Sequence, residues 1–180
     1  MTPLEELLLA RSVQRGDFVL ASGERSSYYI DCRLTTMSAE GLTLVGRAGL
    51  AAIRAAAWNA SVVGGLTIGA DPVAYAIAAE SFRSGSPIDA FTVRKEAKAH
   101  GTRRLIEGNF AAGARAVVVE DVITSGESAL KAIDAVEREG GVVVGVLALV
   151  DREQGGRERI ARRGLEVVVL TTSSAMGLKG

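Results

Sequence analysis

The chain has one cysteine, Cys32, and one histidine, His100, in 180 residues. A single thiol excludes an intrachain disulfide, and a single imidazole excludes a histidine-rich zinc site. Aromatic residues make up only 4 %, so the core must be built from Ala, Val, Leu and Ile. Charge of neither sign is in excess: 21 basic and 21 acidic residues cancel. That gives no support to nucleic-acid or membrane-surface binding through bulk charge. The longest apolar run, residues 142–150, is interrupted by Gly145. It falls far short of the roughly 20 residues needed to cross a bilayer. Glu5 and Glu6 stand where a signal peptide would be basic. No Gly-x-x-x-x-Gly-Lys-Ser/Thr occurs, which disfavours a nucleotide hydrolase. There is no internal repeat, low-complexity tract or linker. The expected setting is cytoplasmic and reducing. With 48 % hydrophobic residues, the length suits one domain with a sizeable core and is short for two.

What is present alternates between strand and helix patterns. Thr2-Pro3-Leu4-Glu5 is a capping box with proline at the first helical position. Leu4, Leu7 and Leu8 continue that helix, and Gly16 is expected to end it. Short strands are expected over residues 18–20 and 28–31, around the turn Ser22-Gly23-Glu24. Ser38 can cap a long alanine-rich helix reaching about Trp58, and Val62-Val63 is a short strand. Asp71-Pro72 reads as cap and first position of a helix ending at Arg83. Residues 88–93 read as a strand and the polar segment 94–107 as a loop. Strand 116–120, helix 128–139, strand 142–150, helix 156–163 and strand 166–170 follow. This order predicts an α/β fold with a mostly parallel sheet flanked by helices on both faces. Residues 1–180 form a single domain, with residues 1–35 approximately as a small N-terminal cap of helix plus hairpin. Ligands of such sheets sit beyond the carboxyl ends of the strands. Glu120, Asp121, the 94–107 loop and Asp151-Arg152 all follow strands, so parallel strands would gather them at one edge.

Residues 117–128, Val-Val-Val-Glu-Asp-Val-Ile-Thr-Ser-Gly-Glu-Ser, are the most informative stretch. A buried strand ends in two adjacent carboxylates, Glu120 and Asp121, expected to point to opposite sides. Thr124-Ser125-Gly126-Glu127-Ser128 then offers backbone N–H groups, three hydroxyls and a helix N-terminus, an anion site suited to phosphate. Carboxylates beside a phosphate site can hold sugar hydroxyls or a metal, so the segment asks for a sugar phosphate. It resembles the phosphoribosyl-diphosphate (PRPP) motif of the type I phosphoribosyltransferases.

The second feature is Arg94-Lys95-Glu96-Ala97-Lys98-Ala99-His100-Gly101. It holds two of only four lysines and the sole histidine. Clustered cations on a loop suit a highly charged anion such as diphosphate. The octet resembles, almost residue for residue, a loop of the orotate phosphoribosyltransferases. Phe18 through Gly23, Ser27-Tyr28-Tyr29-Ile30-Asp31, Gly64-Gly65 through Asp71-Pro72-Val73-Ala74, and Asp151-Arg152 extend the resemblance over most of the chain. Residue chemistry alone weighs core packing and ring stacking equally for each of the two tyrosines. Some family members carry lysine at the positions of Ala21 and Gly69, where this chain has no cation.

The resemblance implies transfer of the 5-phosphoribosyl group from PRPP to orotate, giving orotidine 5′-monophosphate and diphosphate in pyrimidine synthesis. It implies PRPP contacts from Arg94, Lys95, Lys98, His100, Glu120, Asp121, Val122, Ile123, Thr124, Ser125, Gly126, Glu127 and Ser128. Orotate contacts would come from Tyr29, Ile30, Thr124 and Arg152, the last holding the carboxylate. Asp121, Glu120, Lys98 and His100 would serve catalysis. Mg²⁺ is expected, held mainly by substrate oxygens rather than protein side chains. Orotate's ring nitrogen is acidic enough that a strong general base is unnecessary. The family also implies a homodimer with shared active sites, without nucleic-acid or membrane partners. The rivals are a purine or other type I phosphoribosyltransferase, which should lack the basic octet, and a PRPP-sensing regulatory protein, which should show an added nucleic-acid-binding surface.

Overall fold

The computed structural model describes residues 1–19, 25–96 and 104–178. Its centre is a six-stranded sheet in the order β5-β4-β3-β6-β7-β8. β3 is Val62–Leu66, β4 Asp89–Val93, β5 Ile106–Gly108, β6 Arg115–Ile123, β7 Val142–Asp151 and β8 Val167–Thr172. All adjacent pairs are parallel except β4 with β5. Alternation along β6 divides the core. Val117 and Val119 pack toward α3 (Ala39–Ala55) and α4 (Ala70–Arg83). Ala116 and Val118 pack toward α5 (Glu127–Arg138) and α6 (Gly156–Ala161). The helices after β3 and β6 thus cover opposite faces, and their neighbouring carboxyl ends open a crevice between them.

The N-terminal elements lie outside this sheet. α1 (Pro3–Arg11) carries the expected capping box at Thr2 and Glu5. It stops at Ser12, whose buried hydroxyl bonds that of Thr35 at 2.7 Å. Gly16 therefore ends no helix; it falls in a bulge of the antiparallel hairpin formed by β1 (Val13–Val19) and β2 (Arg25–Ile30). The turn Ser22-Gly23-Glu24, with Ala21, lies outside the described residues. Leu4, Leu8, Tyr28 and Ile30 join the same apolar cluster as Val117 and Val119, which seats the hairpin on the sheet.

One element was not foreseen and two further expectations need correction. α2 (Arg33–Thr36) is one turn long, too short to show periodicity. Residues 106 and 107 are strand, not loop, because Ile106 and Glu107 pair with Val93 and Thr92. The Arg94 N–H to Leu105 carbonyl bond at 2.8 Å ties the two ends of the intervening excursion together. α4 begins at Ala70 with Gly69 as its N-cap, two residues before the expected cap Asp71. No helix among the described residues is long and apolar enough to cross a membrane.

Candidate active site

Both acids lie inside β6, since Val122 and Ile123 beyond them still pair with Val150 and Asp151 of β7. Nor do they diverge to separate sites. Both line one open cavity of about 640 Å³ at the crevice. Val119 and Val122 pack against the same apolar cluster. Strict alternation forbids this for residues three apart, so the regular pleat breaks between them.

Glu120 is 6 % exposed, and its Oε2 finds no hydrogen-bond partner among the described residues. Burial, then the charge of Asp121 and a hydrogen bond shared with it, push the Glu120 carboxyl well above its ordinary range. Burial also raises Asp121, but the Val122 N–H donates to its Oδ1 at 2.9 Å and opposes the rise. The charge of Arg33 acts in the same opposing sense. A proton therefore settles first on Glu120, and negative charge on Asp121.

Asp121 rests directly on the turn between β3 and α4. A Cβ at Gly69 would lie 2.5 Å from its Oδ1 and 2.7 Å from its Cγ. With Asp121 so placed, residue 69 has no room for a side chain, lysine included. The adjoining Thr67–Ile68 peptide bond is cis. The Asp71 carboxylate accepts from Thr67 Oγ1 at 2.7 Å and Thr92 Oγ1 at 2.9 Å, tying the turn to β4 instead of capping the helix.

The turn after β6 bends at Gly126, whose φ of 75° favours glycine. Beneath it packs Gly156 at the start of α6, where a Cβ would stand 2.4 Å from the Thr124 carbonyl oxygen. Thr124, Ser125, Glu127, Ser128 and Val122 line the cavity, whereas Ile123 is fully buried in the core. Glu127 makes an ion pair with Lys131 at 2.7 Å, and that hydrogen bond lowers its pKa.

The two tyrosines separate cleanly. Burial alternates along β2, leaving Tyr28 3 % exposed and Tyr29 40 % exposed. Tyr29 lines the cavity beside Ile30 and packs on Phe18 at 5.8 Å between ring centroids. Arg152, buried just after β7, borders the same cavity. Lys95 also reaches it, while Arg94 faces Glu107 at 3.7 Å. Lys98 and His100 lie outside the described residues.

Sequence reasoning missed Arg33. It lines the cavity and holds Asp31 in a bidentate pair, Nε to Oδ1 at 2.8 Å and Nη2 to Oδ2 at 2.9 Å. This pairing lowers the Asp31 pKa. Its only signal was an Asp-x-Arg spacing, which is too common to single out. Among the described residues, no group of three or more His, Cys, Asp or Glu could hold a metal ion. Glu120 and Asp121 nevertheless supply hard oxygen donors that suit a Mg²⁺ ion ligated chiefly by substrate.

No family model matches the chain. Curated relatives do. The orotate phosphoribosyltransferase of Rhodopirellula baltica is 44 % identical over 99 % of this chain and 95 % of its own. That of Mycobacterium tuberculosis is 48 % identical over 97 % and 95 % respectively. The chain belongs to the orotate phosphoribosyltransferase family. A crystal structure of the M. tuberculosis orotate phosphoribosyltransferase in complex with PRPP superposes with a TM-score of 0.81 at 44 % identity, covering 97 % of each chain. An adenine phosphoribosyltransferase from Leishmania donovani is 19 % identical with a TM-score of 0.67, a likeness of fold alone.

The acid pair sets two expected outcomes. Because the folded-state pKa of Glu120 is raised, its contribution to stability is full below the ordinary value of 4.5 and is lost as pH rises through the folded value. Glu120→Gln removes that loss. Its stability relative to the parent should rise with pH above about 4.5, as read by urea unfolding across a pH series; a pH-independent difference contradicts the assignment. Gly69→Ala must displace Asp121 and should lower turnover about a hundredfold, the scale of a misplaced reacting group. Steady-state kinetics beside a thermal midpoint check this, and unchanged turnover in a folded variant rules out the contact's importance.

Proposed function

We propose that this chain joins orotate to the ribosyl carbon of PRPP in the cavity described above, releasing diphosphate and forming orotidine 5′-monophosphate. The observation that carries the base assignment is Arg152, a buried cation whose Nε lacks a partner among the described residues, in the same cavity as the acids and phosphate turn. A guanidinium bordering the cavity suits a carboxylate through a bidentate fork, and orotate carries one where uracil does not. Tyr29 and Ile30 form the neighbouring wall for the pyrimidine ring.

The roles follow from position and charge. Thr124, Ser125 and Ser128, with the backbone at the start of α5, hold the 5′-phosphate. The reaction breaks the bond from the anomeric carbon to diphosphate and forms one to the orotate ring nitrogen, through an oxocarbenium-like transition state. Asp121 faces that developing positive charge as the ionised acid. Glu120, keeping its proton longer, serves the ribose hydroxyls as a hydrogen-bonding group. Lys95, together with Arg94, Lys98 and His100, offsets charge on the leaving diphosphate. Bound Mg²⁺ supplies further neutralisation of the diphosphate oxygens. Catalysis is chiefly positioning and electrostatics. Residues 1–180 act as one domain whose N-terminal cap covers the base, in a cytoplasmic setting.

A homodimer fits this reading. Leu34, Met37 and Ile68 are large apolar side chains exposed around a depression that Asp31 and Arg33 share with the cavity. Tyr75 and Phe82, seven residues apart on α4, are 52 % and 76 % exposed. A second copy covering these groups in the commonest two-fold arrangement would sit beside the cavity, close enough for its basic loop to enter.

Asp121→Asn should lower turnover by about two orders of magnitude, the scale of losing one preorganised electrostatic contact. Glu120→Gln should cost less, because glutamine mimics the protonated acid. Arg152→Ala should raise the KM for orotate while leaving that for PRPP nearly unchanged. An orotate-consumption assay with PRPP and Mg²⁺, run beside uracil, adenine and hypoxanthine, checks all three. Equal use of uracil overturns the base assignment.

If Lys98 acts across the dimer and Asp121 within its own chain, Lys98→Ala and Asp121→Asn homodimers should both be nearly inactive. Their heterodimer then regains one intact site, at most about half the parental activity by two-fold geometry. Verified heterodimers without recovered activity rule out the shared site.

A further inference from the structure

The tip of Arg152 is held by an element that does not carry its backbone. Its N–H donates to the Ile123 carbonyl at 2.9 Å, which fixes the main chain at the carboxyl ends of β6 and β7. Its guanidinium instead meets the N-terminal hairpin. The Tyr28 ring lies beneath it, 5.0 Å from the guanidinium carbon to the ring centroid. Nη2 donates to Ser26 Oγ at 3.4 Å. Both partners sit on the inward face of β2. They are also locked to each other: Ser26 Oγ donates to the Tyr28 carbonyl at 2.7 Å and accepts from the Tyr28 N–H at 3.3 Å.

These partners are unusual for a buried arginine in one respect. Neither a ring face nor a hydroxyl carries charge. The contrast lies in the same cavity, where Arg33 is matched by the Asp31 carboxylate on both nitrogens. A carboxylate partner would orient Arg152 but would also cancel the charge available to a ligand. A ring face fixes the plane of the guanidinium while leaving its positive charge intact. The hydroxyl engages one terminal nitrogen, and the Nε side stays without a partner among the described residues.

We propose that Tyr28 and Ser26 are positioning residues for the base site: the Tyr28 ring face and the Ser26 hydroxyl set the Arg152 guanidinium so that the part of it bordering the cavity accepts a planar carboxylate on the incoming base. This rests on the reading of Arg152 given under Proposed function. Setting the guanidinium beforehand lowers the ordering cost that the ligand would otherwise meet. It also makes the hairpin, rather than the sheet, responsible for the geometry of base recognition. Tyr28 touches no reacting atom in this scheme, and its hydroxyl has no part in it.

The test is steady-state kinetics on the full chain with orotate, PRPP and Mg²⁺. Tyr28→Leu should raise the KM for orotate about tenfold, the scale of a desolvated cation–π contact. The KM for PRPP should move less than about twofold, because the ring does not reach the phosphate side. Tyr28→Phe, which keeps the ring face, should restore the parental value. Tyr28→Leu combined with Arg152→Ala should lose no more than Arg152→Ala alone. The proposal is overturned if Tyr28→Phe fails as Tyr28→Leu does, if both KM values rise together, or if the double variant is additive. Should Tyr28→Leu not fold, Ser26→Ala decides: a rise in the orotate KM alone supports the proposal, and no rise overturns it. If Arg152→Ala leaves orotate binding unchanged, the assignment of Arg152 itself falls. That outcome is distinct from a normal Arg152 effect with a silent Tyr28.

Discussion

The close approach of the Asp121 carboxylate to the backbone at Gly69 governs the rest of the cavity. It joins the end of one central strand to the turn after its neighbour, and it works only because residue 69 has no side chain. The turn is anchored from the other side by Asp71, which gathers the Thr67 and Thr92 hydroxyls. Asp121 therefore lies on a surface set by the sheet rather than by a loop. A cation at residue 69 would compete for the same volume. Positive charge around the cavity instead comes from Arg33 on α2, Lys95 after β4 and Arg152 after β7.

Burial then divides the labour of the two acids. Neighbouring carboxylates in a dry crevice cannot both ionise easily. The backbone N–H of Val122 and the nearby Arg33 favour charge on Asp121, whereas Glu120 has an oxygen without a partner among the described residues. Two acids adjacent in sequence thus differ in how readily they ionise, Glu120 holding its proton more tightly than Asp121. A reaction that develops positive charge on a hydroxyl-rich sugar can use both.

Much of this was legible in the sequence because the signals were local. The capping box at Thr2, the cap at Ser38, the parallel order of strands and the tight turn at Gly126 all follow from short-range chemistry. The convergence of Glu120, Asp121, Thr124 and Arg152 followed from one topological rule about parallel sheets. What was not legible depended on contacts between distant segments. Gly16 looked like a helix stop, but the Ser12–Thr35 bond ends the helix earlier. Asp71 looked like a cap, but two threonine hydroxyls claim its carboxylate. The break in the pleat that turns both acids into one cavity, and the pairing of residues 106 and 107, are likewise tertiary. The resemblance, for its part, singled out Tyr29 and Arg152 for orotate, whereas residue chemistry alone could not say which tyrosine faces inward.

Among the described residues, the hairpin of β1 and β2 forms no ladder with a strand of the main sheet. Its place is set by side-chain packing, through Tyr28 and Ile30 in the core. On the proposed reading the fold is modular in its chemistry: sugar-phosphate handling falls to the sheet, and the choice of acceptor largely to an attached two-stranded flap. Selection can rework such a flap without disturbing a single ladder bond of the sheet beneath it. One scaffold can in that way be refitted for a different nitrogenous acceptor by changing fewer than twenty contiguous residues, 13–30, and the arginine they hold.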